Sequence, residues 1–119
     1  MQIQINTGNG IENKEALERW ADAEIRQSLS RFTAEVTRVE IHLSDENHGA
    51  GGGDQRCLME ARLAGYAPLA VSHHARGMDE AFRGACTKLR HALDSTLGRL
   101  GGHRDRDSIR KDDGDAAAE

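Results

Sequence analysis

Six residues in and just before the segment 78–100 are of the type that grips a polyanion: Arg76, Arg83, Lys88, Arg90, His91 and Arg99. The stretch "FRGACTKLRHAL" (82–93) carries four basic or titratable side chains and no acid, in a chain whose net charge is −4. Residues 76–111 hold 9 Lys/Arg against 5 Asp/Glu, whereas residues 1–75 hold 7 against 11 and residues 112–119 hold none against 4. A basic third between two acidic parts points to an anionic partner, because clustered cations attract polyanions whatever the sign of the total.

Other chemistry finds less support. His73 and His74 are adjacent, and neighbours on a strand point to opposite faces, so they do not converge on one metal. Cys57, Cys86, His42 and His91 are scattered and form no close pair of the Cys-x-x-Cys kind, so neither a metal site nor a cofactor is expected. Ser72 beside His73 is no catalytic triad, and a non-enzymatic protein with no small-molecule substrate is expected. The glycines of "DENHGAGGGD" (45–54) lack the Lys and Ser/Thr of a phosphate-cradling loop and join strand to strand, which fits a hairpin connection.

These residues need elements to position them. With 119 residues the chain is sized for one domain. "MQIQIN" alternates apolar and polar, the two-residue period of a half-buried strand, and "TGNG" ends it. From Asn13 to about Ser30, Leu17, Trp20, Ala21, Ile25 and Leu29 lie on one helical stripe, with Phe32 just beyond. "VTRVEIHLS" alternates again, with Thr37, Val39, Ile41 and Leu43 on one side. "RCLMEARL" sets Cys57, Met59, Ala61 and Leu63 inward. After the turn "GYAP", "LAVSHH" makes a short fourth strand with Pro68 at its start or edge, since proline donates no ladder hydrogen bond. A second long helix begins near Met78. The expected fold is α+β, in the order β-α-β-β-β-α, a four-stranded sheet with two helices on one face.

On a wheel at about 100° per residue, Met78, Phe82, Ala85, Leu89, Leu93 and Leu100 form one narrow buried stripe. Arg83 and Arg90 fall on one flank, Lys88 and Arg99 on the other, and His91 points outward. Gly84 and Gly98 fall on the exposed side, where they weaken the helix. Asp79 and Asp94 lie four residues from Arg83 and Arg90, so intrahelical ion pairs are one expected use of those arginines. Gly101 and Gly102 are expected to end the helix, and residues 101–119 to form a disordered charged tail. The absence of a charged, apolar leader and of an apolar run of spanning length leads to the expectation of a soluble cytoplasmic protein with reduced thiols and no membrane partner.

The order of elements and the run "LAVSHHARGMDEAFRGACTKLRHAL" resemble the ribosome hibernation-promoting factor family, including its short ribosome-associated inhibitor proteins, over roughly residues 1–100. Met78, Ala81, Ala85, Lys88, Leu89 and Leu93 match the family's last helix, and Phe82 is a large apolar residue where the family often has isoleucine. Gly77, Asp79 and Arg83 stand where the family usually has Asp, Tyr and Asp, and "DSTLGRLGGHRDR" carries fewer cations than the family's helix end. The resemblance implies a ribosome-binding domain over residues 1–100 that sits on small-subunit rRNA between head and body and blocks the tRNA and mRNA sites under stress. Of the six cations only Lys88 matches a family position; the rest are nominated by the wheel and the charge. The long dimerising extension of longer members is not expected here, and the sequence leaves the oligomeric state open. The alternative is a protein-interaction or regulatory module of the same fold, meeting its partner through the exposed sheet face (Arg38, Glu40, His42, Arg56, Glu60, Arg62).

Overall fold

The computed structural model describes residues 1–8, 11–45 and 54–108, with side chains as far as Gly98. Its elements run β1 (Gln2–Thr7), α1 (Lys14–Ser28), a short 3-10 turn (Ser30–Phe32), β2 (Val36–Asp45), β3 (Gln55–Leu63), β4 (Leu69–Ala75) and α2 (Met78–Ser108). The α+β order expected from the sequence is the order observed.

The sheet runs β1-β2-β3-β4. β1 lies parallel to β2, with Ile3 opposite Val39 and Ile5 opposite Ile41, so a crossover is needed and α1 supplies it. β2, β3 and β4 form an antiparallel meander. Alternation sends Val39, Ile41, Leu43, Cys57, Met59, Ala61 and Leu63 to one face. There they meet Ala21, Ile25 and Leu29 of α1 and Ala81, Phe82, Ala85, Leu89 and Leu93 of α2 in a single core. Among the described residues the fully buried apolar side chains of the sheet lie on that side, and no helix covers the other face.

One residue breaks the alternation. Thr37 is exposed and donates its hydroxyl to the Arg62 carbonyl at 3.1 Å, instead of pointing into the core with Val39. The cause is a bulge: Val36 pairs with Leu63 and Arg38 with Arg62, so two residues advance against one and Val36 takes the buried place.

Both helix starts are locally specified. Asn13 caps α1 in the left-handed region, at φ 54°, which asparagine tolerates better than most residues. Gly77 precedes α2, and its N–H donates to the Glu80 carboxylate at 3.4 Å, one half of a capping box. Asp79 and Glu80 also place negative charge in the first turn, where the helix dipole favours it.

α2 does not stop at Gly101–Gly102 but continues to Ser108. Each glycine costs about 1 kcal/mol in a helix, yet extending an existing helix fixes only one more residue per hydrogen bond and no proline follows. Residues 109–119, the rest of the expected tail, and 46–53 of the glycine-rich connection lie outside the described residues. Among the described residues no helix is long and apolar enough to cross a membrane.

Candidate nucleic-acid interface

The buried stripe of α2 fixes what its two flanks face. Phe82 is fully buried and packs on Trp20 of α1, ring centroids 5.0 Å apart and tilted by 56°. That contact turns Arg83, Thr87 and Arg90 toward α1. Their spacing of four and three residues is that of one helical row, and Trp20, Glu24 and Ser28 make a matching row, four apart, on α1.

Between the rows lies an open groove of about 460 Å³ lined by Glu24, Ser28, Arg83, Cys86, Thr87 and Arg90. Arg83 is exposed and holds its guanidinium 5.7 Å from the Trp20 ring centroid, a cation–π contact that keeps a long side chain in place without engaging it in an ion pair among the described residues. Arg90 is half-buried.

The acids four residues away do not neutralise these arginines. Asp94 is held instead by Arg31, at 2.7 Å, and Arg31 is itself braced over the Phe32 ring at 4.6 Å. Among the described residues neither Arg83 nor Arg90 takes part in an ion pair. The intrahelical pairing expected from the sequence is therefore not the arrangement formed.

The other nominated cations do not join this pair. Lys88 lies on the opposite flank and donates to the Ser72 carbonyl of edge strand β4 at 2.8 Å, so part of its role is to tie α2 to the sheet. Arg76 is exposed in the connection before α2, and His91 is exposed on its outer side. The side chain of Arg99 lies outside the described residues. Gly84, expected on the exposed side, is partly buried against His73 of β4.

Cys86 forms the groove floor. Burial pushes its thiol up to about 11; Ser28 hydrogen bonding and the charges of Arg90 and Arg83 work against that rise, and Glu24 adds to it. Cys57 is pushed up to about 12, first by burial and then by Cys86 beside it. The native fold therefore holds both protons more tightly than the unfolded chain, whose thiols ionise near the ordinary value of 9.0. Stability is expected to be undiminished by these groups below pH about 9 and to fall as pH rises from there toward 11 and 12. Urea titrations across that range check it, and native thiols should react slowly with a disulfide reagent at pH 8.

On the uncovered sheet face two of the three arginines sit beside carboxylates, while Arg56 takes part in no ion pair among the described residues. Arg38 pairs with Glu40 at 2.9 Å and hydrogen-bonds to Gln2 and Gln4, while Arg62 lies 3.7 Å from Glu60. His42 sits 3.9 Å from Glu40 and 3.4 Å from Asn6. Among the described residues no group of three or more potential metal ligands gathers.

Residues 3–100 match the family model described as sigma 54 modulation protein / S30EA ribosomal protein. The chain belongs to that family. Among solved structures it is similar to the N-terminal domain of Thermus thermophilus Protein Y, with a TM-score of 0.65 and 17% identity over 81% of this chain and 99% of that one. It is also similar to a ribosomal subunit interface protein from Coxiella burnetii, with a TM-score of 0.64 and 18% identity over 82% and 99% of the two chains. No curated sequence relative matches. At these identities the structural likeness establishes a shared fold, and the hibernation-factor resemblance read from the last helix falls within the matched family.

Proposed function

We propose that this S30EA-family chain is a cytoplasmic, non-enzymatic hibernation factor that binds small-subunit rRNA between head and body and blocks the tRNA and mRNA sites under stress. The observation that carries the reading is the pair Arg83 and Arg90, held on the α1 side of α2 without carboxylate partners among the described residues. The naming of a structural neighbour as a ribosomal subunit interface protein supports it. Folded rRNA presents phosphates and 2′-hydroxyls, which cations spaced along a helix read without aromatic stacking. The outer sheet face is the weaker candidate, since Arg38 and Arg62 already sit beside carboxylates.

The chain should co-sediment with small ribosomal subunits at low salt and dissociate steeply as salt rises, because phosphate binding releases counterions. Replacing Arg83 and Arg90 together by glutamate should weaken that binding about a hundredfold and flatten the salt dependence, two charge-assisted contacts being worth about 3 kcal/mol or more. Arg38→Glu with Arg62→Glu should leave it nearly unchanged. Absence from the subunit fraction at low salt, or the reverse order of the two double variants, would overturn the reading.

A further inference from the structure

The groove contains a group that a plain phosphate site would exclude. Glu24 lines it opposite Arg83 and Arg90, is partly buried, and among the described residues takes part in no ion pair. All three charges converge closely enough on Cys86 to act on its thiol, the two arginines in one direction and Glu24 in the other. A bare carboxylate repels phosphate, so its presence beside two arginines favours a ligand that brings a hydrogen-bond donor next to its anionic group. RNA is such a ligand, for each phosphate is flanked by a ribose 2′-hydroxyl that donates as well as accepts, and DNA has none.

We propose that the α1–α2 groove grips an RNA backbone, with Arg83 and Arg90 on phosphate and the Glu24 carboxylate accepting from a 2′-hydroxyl, so that Glu24 makes the site choose RNA over DNA. This rests on the reading that α2 faces RNA and adds to it a specificity residue on α1. The hydroxyls of Ser28 and Thr87 line the same groove and supply further polar contacts for sugar or phosphate. Trp20 reports on occupancy: it is the chain's one tryptophan and sits under Arg83, so capture of the guanidinium by phosphate changes its surroundings.

The test uses the full chain with a short single-stranded RNA and the DNA of the same sequence, read by anisotropy of the labelled strand and by Trp20 emission. The wild type should prefer RNA. Glu24→Ala should lower the RNA-to-DNA affinity ratio about tenfold, chiefly by improving DNA binding, since it removes both the repulsion and the hydroxyl acceptor. Arg83→Gln with Arg90→Gln should weaken both strands and abolish the Trp20 response, while Arg62→Gln on the far sheet face should do neither. An unchanged ratio in Glu24→Ala, or no RNA preference in the wild type, overturns the inference while subunit co-sedimentation stands apart. Loss of co-sedimentation with the ratio change intact overturns the ribosomal reading and leaves the groove's preference in place.

Discussion

Truncation of Phe82 to alanine should cost about 3–5 kcal/mol of folding stability. The ring is completely buried and is the largest of the fully buried side chains. It is also the piece of α2 that reaches Trp20, and the two helices share little other contact because each lies mainly on its own strands. The neighbouring rings, Trp20 against it and Phe32 elsewhere in the core, are already packed in place, so truncation leaves a cavity. A domain of this size has about 5–15 kcal/mol in all, so the variant should unfold at a much lower urea midpoint, followed by Trp20 emission. A loss under about 1 kcal/mol would mean that the helices close over the cavity and that their spacing is not set by this ring. Because Trp20 in turn supports Arg83, the same substitution should weaken the RNA binding proposed for the groove even in the fraction that remains folded.

Much of this architecture was legible in the residues. The period-two runs placed Val39, Ile41, Leu43, Cys57, Met59 and Ala61 on the core face, and the helical stripe placed Phe82, Ala85, Leu89 and Leu93 beneath α2, because burial on a single face leaves a period that sequence preserves. Thr37 escaped because a bulge inserts one residue without changing the apolar pattern around it.

The site was half legible. A wheel puts Arg83 and Arg90 on one flank of the candidate site, yet it says nothing of what lies opposite, so Trp20 reads only as part of the buried stripe and nothing marks Glu24 or Ser28, although the three are spaced four apart on α1. Asp94 likewise read as a partner for Arg90, four residues before it. The fold brings Arg31 to it from 63 residues away, and a contact of that range leaves no local trace. Lys88 matched a family position, while its bond to the Ser72 carbonyl gives it a structural role that charge counting does not reveal.

Gly84 is where local propensity and tertiary packing disagree in sign, and Gly84→Ala should be destabilising by about 1–2 kcal/mol even though alanine is favoured over glycine in a helix by about 1 kcal/mol. A Cβ at that position would lie 2.1 Å from Cδ2 and 2.5 Å from Cγ and Nε2 of His73. Distances that short force a movement, and Cγ is too near the root of the side chain to yield by bending its far end. His73 sits on β4 within the sheet face that α2 covers, so the ring must leave its rotamer or push the helix off the strand that Lys88 helps it hold. Either response costs more than the backbone entropy that alanine saves. His73→Ala removes the obstacle, and in the double variant the helix-favouring methyl should recover its benefit, so that Gly84→Ala becomes neutral or stabilising in that background. A double-mutant cycle in urea measures this directly, with a coupling between the sites of about 1–3 kcal/mol expected. Additive effects would show instead that the imidazole swings clear at little cost, and that glycine stands here for a reason other than the close approach of β4.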